Sequence, residues 1–264
     1  MNETNDDPVE NEAEEDRRYR APALEKGLDI LELLAGEAAP MSLSEIATAL
    51  DRSPGELFRM VQVLEFKGYI SPKPTGEGYV LTNKLFALGM AQAPTRTLLE
   101  AALPEMRRLT NRTGQSCHLA VASDDQIVVV ARVEAPGDIG FSIRVGYRRG
   151  LTAATSGLVL FAFQPEPVRN AWLARLFVDA PLAKRRDFIK HANALREQGY
   201  LRAPSDFVQG VVDLSAPVME GDGASAALTV PFIHRIPLFC SMEATVPHLQ
   251  EAAAAISESL GQHG

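Results

Sequence analysis

Apolar positions change period along this chain, and each change marks an element. From Ala21 onward, Leu24, Leu28, Leu31 and the pair Leu33/Leu34 recur at helical spacing, which predicts a first helix that Gly36 can stop. Ser42-Leu43-Ser44-Glu45 has the form of a capping box, and Ile46, Ala47 and Leu50 give the short helix behind it an apolar stripe. A second box, Ser53-Pro54-Gly55-Glu56, follows at once, with Pro54 at the first helical position. Two helix starts so close together force a short helix and a tight turn. On a helical wheel Leu57, Met60, Val61 and Leu64 share the inner side, while Gly55, Arg59, Gln62 and Phe66 fall outside. Tyr69-Ile70 and Tyr79-Val80-Leu81 then flank the turn-rich Ser71–Gly78, the pattern of a hairpin. Three helices followed by a hairpin make a winged helix-turn-helix.

The next segments are helical. Thr82 can cap a helix through about Ala91, Pro94 breaks it, and Leu98–Arg112 forms another that Gly114 ends. Beyond Gln115 the period becomes that of strands. Cys117–Val121 and Ile127–Val133 surround the turn Asp124-Asp125, and Phe141–Val145 reads as a third β run. Helices are expected at Thr155–Phe163, Val168–Phe177, Leu182–Gln198 and about Ala244–Leu260. Strands are expected at Val211–Val218 and Ala226–Ile233. Strands and helices segregate instead of alternating, which predicts an α+β fold with a largely antiparallel sheet. The expected division is an acidic disordered tail over 1–20, a winged helix-turn-helix over 21–82, linker helices over 83–113 and a second domain over 114–264.

Composition adds the class. The 264 residues are 46% hydrophobic and 23% charged, the balance of a globular protein. Apolar runs such as Gly157–Phe163 fall far short of the ~18 residues a membrane span needs, and two cysteines build no disulfide framework. A cytoplasmic location is therefore expected, with no membrane partner. The net charge of −8 is concentrated in one place. Residues 1–16 carry eight acids and no base, so the other 26 acids balance the 26 bases of the remaining chain. Such a tail reads as a solubilising disordered segment.

The order of residues resembles the IclR family of bacterial transcriptional regulators. The likeness runs from Ala21 to Leu260 through ALEKGLDILELLA (23–35), LSEIATAL (43–50), FRMVQVLEFKGYI (58–70), YVLTNKLFALG (79–89), GQSCHLAVA (114–122), VARVEAP (130–136) and VGYRRGLTAATSG (145–157). It implies a sequence-specific DNA-binding regulator with a winged helix-turn-helix, a linker helix and a GAF-like effector-binding domain. A double-stranded DNA operator, a small-molecule effector and a homodimer or homotetramer are the implied partners.

The residues themselves support DNA binding. A recognition helix meets the major groove by its N-terminal part. Here that part offers Ser53, Gly55, Glu56, Arg59 and Gln62, with Arg52 just before it and Lys73 on the wing. Arg59 suits guanine and Gln62 suits adenine. Glu56 would repel phosphate, yet it can accept from the amino group of cytosine. Relatives usually carry small hydroxyl residues at the helix start, and often a Lys. Arg17–Lys84 holds as many acids as bases, so nonspecific affinity should be modest. Arg17, Arg18 and Arg20 form the densest basic cluster, either linker charges or an arm for a neighbouring groove.

By the same resemblance, Thr155, Ser156, Asp213, Thr229 and Pro231 match positions that commonly line the effector pocket. The chain departs from relatives there. Thr152 stands at a frequent His, Leu158 at a frequent Lys, Asp213 at a frequent Cys and Pro231 at a Ser. An ionised Asp213 would repel a carboxylate, so the expected ligand is neutral or partly cationic; alternatively Asp213 caps a turn or meets an Arg.

No enzymatic constellation emerges. Cys117 and His118 are strand neighbours that point to opposite faces, so they cannot form a nucleophile–base pair. His118, His234 and Cys240 lack the spacing of a zinc site, and nucleotide-binding glycine motifs are absent. Neither catalytic residues nor a metal or cofactor is expected. Two alternatives remain: a ligand-binding domain whose winged helix contacts protein, and a regulator that has lost its effector response.

Overall fold

The computed structural model describes residues 21–262 apart from 74–75, 77, 138–139, 179, 206–207 and 237–238. The acidic tail and Arg17, Arg18 and Arg20 lie outside the described residues. The chain forms two compact units that divide between Gln92 and Ala93.

The first unit contains α1 (Pro22–Gly36), α2 (Leu43–Ala49), α3 (Pro54–Phe66), β1 (Ile70–Pro72), β2 (Tyr79–Leu81) and α4 (Lys84–Met90). Both boxes form where the spacing predicts them. The Ser42 amide donates to Glu45 Oε2 at 2.7 Å while Ser42 Oγ accepts from the Glu45 amide at 3.3 Å. Between α2 and α3, Asp51 takes a left-handed conformation (φ 51°) and the Arg52 amide donates back to the Ala47 carbonyl, which closes the tight turn. Ile30, Leu34, Ile46, Ala47, Leu57, Val61, Leu64 and Ile70 make the core. The hairpin pairs antiparallel, and Met41 adds a bridge to Tyr79. That bridge depends on Gly78. It sits at φ +117°, and a Cβ there would lie 2.3 Å from the Met41 carbonyl carbon.

The second unit begins with α5 (Ala93–Thr113), a 21-residue helix with Pro94 in its first turn, where a missing amide proton costs little. Gly114 ends it at φ +67°. Strands β3 (Cys117–Ser123), β4 (Gln126–Val133), β5 (Arg148–Gly150), β6 (Leu201–Pro204), β7 (Val212–Glu220) and β8 (Gly223–Phe232) form one antiparallel sheet in the order β5-β4-β3-β8-β7-β6. The helices α6 (Thr155–Ala162), α7 (Glu166–Leu176), α8 (Leu182–Gln198) and α9 (Met242–Gly261) complete the unit. Alternation along the strands sorts the side chains. Leu119, Leu214, Ala216, Val218, Leu228 and Val230 pack with Leu98, Met106, Leu249 and Ile256 of α5 and α9. The opposite face carries Ala120, Val129 and Ala227 toward Leu160, Phe161 and Phe188 of α6 and α8. The α+β reading and its antiparallel sheet hold.

Two strand expectations are corrected. Residues 141–145 form no strand; the edge strand is Arg148–Gly150. Gly146, at φ +85°, turns the chain so that contact with β4 begins only there, through its amide to the Val129 carbonyl and the Val129 amide to the Tyr147 carbonyl. The edge strand β6 was not anticipated. It is four residues long and closes on Pro204, so it shows neither a sustained alternation nor a continuous donor ladder.

Candidate DNA-reading face and ligand cavity

On α3 the buried side is Leu57, Val61 and Leu64, as the wheel predicts, and Arg52, Ser53, Gly55, Glu56, Arg59 and Gln62 are all exposed, as is Lys73 on the hairpin. Arg52, Arg59 and Lys73 make no ion pair among the described residues. Glu56 is different. Its Oε2 accepts from the Ser53 amide at 3.1 Å and the Ser53 hydroxyl at 3.0 Å, and Oε1 accepts from Lys26 Nζ of α1 at 3.1 Å. The Ser53 amide bond chiefly, then Lys26, pulls the Glu56 pKa down to about 2. Glu56 is thus a helix cap neutralised by Lys26. A phosphate would meet less repulsion than the bare residue suggests, and a cytosine amino group would have to share Oε1 with Lys26. Phe58 and Val63 also face outward, 49% and 54% exposed, and Phe66 is 86% exposed at the far end of the helix.

In the second unit a small buried cavity of about 30 Å³ lies between the sheet and the start of α6. Its polar lining is His118, Tyr147, Thr155, Ser156, Asp213 and Thr229, and Ile127, Val129, Ile143 and Ala154 supply the apolar part. Antiparallel register brings these residues together from distant positions. Thr229 on β8 stands opposite both His118 on β3 and Ser215 on β7, and its hydroxyl is 2.8 Å from Ser215 Oγ. Asp213 Oδ2 accepts from Thr155 Oγ1 at 3.1 Å. Gly157 lets α6 come close to the 3₁₀ turn Leu151–Ala153, since a Cβ there would lie 2.0 Å from the Leu151 carbonyl oxygen. Four of the five expected pocket residues therefore meet. The fifth, Pro231, stands opposite Asp213 in register but is not among the lining residues.

Two polar lining residues were missed, Tyr147 and His118, as was the apolar part of the lining. Strand alternation had already sent His118 away from Cys117, and the structure agrees; Cys117 Sγ lies 3.4 Å from Thr110 Oγ1 on the α5 side, with its pKa raised to about 11 by burial. The register of β3 against β8 is what sequence could not supply. Burial lowers the His118 pKa to about 4, so its imidazole is neutral, and Nδ1 has no partner among the described residues. A larger, open groove of about 480 Å³ shares Ala154 and Thr155 with the cavity and is otherwise walled by Thr152 and Ala153, by Leu158 of α6, and by α8 and β6, with Phe188, Leu195, Gln198 and Arg202 among its residues. No cluster of three metal-ligating side chains occurs among the described residues, and no helix there is long and apolar enough to cross a membrane.

Comparison with known proteins decides the family. The model described as IclR helix-turn-helix domain matches residues 23–74, and that described as bacterial transcriptional regulator IclR C-terminal matches 90–258. The chain belongs to the IclR family of bacterial transcriptional regulators. Among its relatives, HTH-type transcriptional regulator XynR of Escherichia coli is 28% identical over 245 residues, spanning 90% of this chain and 97% of its own. The glycerol operon regulatory protein of Streptomyces griseus is 26% identical over 249 residues, spanning 90% and 96%. Solved IclR structures share the fold. A homolog from Microbacterium hydrocarbonoxydans, complexed with 4-hydroxybenzoate, superposes with a TM-score of 0.75 at 22% identity over 90% of this chain and 98% of that one. Pseudomonas aeruginosa HmgR gives 0.72 at 26% identity over 91% and 100%. These relatives are named as regulators and not as enzymes, so the IclR member described here is a DNA-binding transcriptional regulator.

Proposed function

We propose that the outward face of α3 reads an operator directly and that a small effector acts from the cavity between the sheet and α6. The observation that carries the first part is the pair Arg59 and Gln62, exposed and without an ion pair among the described residues, above the buried Leu57, Val61 and Leu64, on a helix whose start is capped and whose neighbouring hairpin presents Lys73. Arg59 contacts guanine and Gln62 adenine, and Arg52 and Lys73 contact phosphate. Support for the second part is the convergence of Thr155, Ser156, Asp213 and Thr229 on one buried cavity, together with the ligand-bound state of a structural neighbour. The protein works as a homodimer or a homotetramer of such dimers, with the exposed Leu24 and Leu28 of α1 and Phe86 and Leu88 of α4 supplying subunit contacts. Effector binding favours one arrangement of that oligomer and so changes the spacing of the paired winged helices on DNA.

Selection of bound duplexes from fragmented genomic DNA, followed by anisotropy on the selected site, tests this reading. A repeated or palindromic site is expected, and Arg59→Ala should lose about 1–3 kcal/mol on it. The apolar Phe58, Val63 and Phe66 on α3 favour a second reading, a winged helix that docks on protein. Absence of enrichment at low salt from a folded oligomer would choose that reading.

A further inference from the structure

Acids and bases are unevenly placed in the first unit. Residues 1–16 carry eight acids and no base, and Arg17, Arg18 and Arg20 offset fewer than half of those charges. On the DNA-reading face, Arg52, Arg59 and Lys73 are exposed and make no ion pair among the described residues. Glu56, the acid at the start of α3, is held by Ser53 and Lys26 and pairs with none of the three. One contact fixes where the acidic segment joins this face. Pro22 begins α1, and four residues on Lys26 Nζ donates to Glu56 Oε1 at 3.1 Å, in the first turn of α3. Four residues of helix cover only about 6 Å. The chain that precedes Pro22 therefore departs beside the start of α3, the end that enters the major groove.

We propose that the acidic segment 1–16 occupies the DNA-reading face of its own protomer, its carboxylates standing in for phosphates, and gives way to the operator. The inference rests on the reading that this face binds DNA. Asp16 lies six residues before Pro22, a stretch that spans at most about 20 Å. α3, with 13 residues, is itself about 20 Å long, so the acids reach both of its ends and the cations on it. A segment tethered this closely is present at an effective concentration on the order of 1 mM. An intrinsic affinity of only about 0.1 mM for Arg52, Arg59 and Lys73 then weakens DNA binding about ten-fold by competition. Nonspecific DNA, held by charge alone, loses most from this, because it has nothing else with which to displace the segment. An operator is also held through base edges by Arg59 and Gln62, and so still displaces it.

The test compares the full-length protein with a full-length variant in which the eight acids of residues 1–16 become the matching amides, Asp to Asn and Glu to Gln. Anisotropy on the selected operator and on a scrambled duplex, at about 50 mM salt, should show the variant binding both about ten-fold more tightly. The gap should close by about 500 mM, where charges are screened. The unaltered protein thus shows the shallower salt dependence, and the variant keeps the slope set by its phosphate contacts. Carbodiimide cross-linking without DNA, read by mass spectrometry in the band of single-protomer mass, should join acids of residues 1–16 to Lys73, and operator DNA should abolish that link. Equal, measurable affinities of the two proteins overturn the inference and leave the operator reading standing. Tighter binding by the variant without a Lys73 link overturns the docking, since repulsion at a distance then suffices. Links to Lys184 or Lys190 of α8 in place of Lys73 put the segment elsewhere and overturn it too. No DNA binding by either protein at low salt overturns the operator reading, and this inference with it. Should the variant fail to fold, the Lys73 link and its loss on DNA decide alone.

Discussion

Gly157→Ala tests the claim that one missing methyl group seats α6 on the cavity. The new Cβ would stand 2.0 Å from the Leu151 oxygen and 2.8 Å from its carbon, where at least 3.0 Å is needed, so backbone must move by about an ångström. Neither side yields easily. Leu151 is fully buried, and its amide is held by the Asp125 carbonyl at 2.7 Å; Val159, Leu160 and Phe161 lock the other end of α6 into the core. Overpacking of this kind costs about 1–3 kcal/mol. The same displacement at the first turn of α6 stretches the Thr155–Asp213 hydrogen bond beyond 3.5 Å from its present 3.1 Å. A bond to a charged group adds roughly 1.5–3 kcal/mol.

The combined loss of about 2.5–6 kcal/mol translates into roughly 5–24 °C for a unit of this size. Trp172, the single tryptophan, lies in α7 of the second unit, so its fluorescence follows the melting of that unit alone. Gly150→Ala is the control, because a Cβ there meets nothing within 4 Å and the backbone is in an ordinary conformation. Equal melting of the two variants, within about 2 °C, would refute the reasoning. A second readout separates the units. Gly157→Ala should keep its affinity for the operator while losing the response to effector.

Three further outcomes follow from the same geometry. Gly78→Ala breaks the paired Met41–Tyr79 hydrogen bonds and strains the backbone, a loss of about 2–4 kcal/mol confined to the first unit, and should appear as faster amide exchange at Met41 and Tyr79. Because the folded His118 pKa of about 4 lies below its ordinary 6.5, the unfolded chain takes up the proton first as pH falls. Stability should therefore be complete above pH 6.5 and decline toward pH 4, by on the order of 3 kcal/mol, and His118→Gln should flatten that slope in denaturant titrations. Alkylation of the native protein near pH 8 should modify Cys240 and spare the buried Cys117, as peptide mass spectrometry would record.

Local chemistry is what the sequence made legible. Ser42 with Glu45 and Ser53 with Glu56 announce two helix starts, and Leu57, Val61 and Leu64 announce which side of α3 faces inward. Turn residues such as Asp124 and Gly114 place their boundaries as well. Features that depend on a distant partner were not legible. Lys26 finds Glu56 only because α1 packs on α3, and a Glu read alone at the DNA-facing end looks repulsive. His118 becomes a cavity residue only because β3 pairs with β8 in the register that sets it against Thr229. The strand at Arg148–Gly150 likewise needs β4 beside it, because three residues carry no period of their own.

The balance of charge in the first unit raises the question of what attracts DNA at all. Between Arg17 and Lys84 acids and bases are equal in number, yet their placement is unequal. Glu45 is engaged in the α2 cap, and Glu56 is engaged with Ser53 and Lys26. Arg52, Arg59 and Lys73 have no such acidic partner among the described residues. With Arg59 on a base edge, the two cations assigned to phosphate, Arg52 and Lys73, predict a salt dependence of about −0.9 per phosphate contact, near −3.6 in log–log slope if two protomers each make two contacts. Binding measured at several salt concentrations tests the count. Arg52→Ala and Lys73→Ala should each lower the slope by roughly one per protomer and weaken all sequences alike, whereas Arg59→Ala should also relax the preference for one base pair. A slope near zero would mean that the neutral sum, and not the placement, governs this surface.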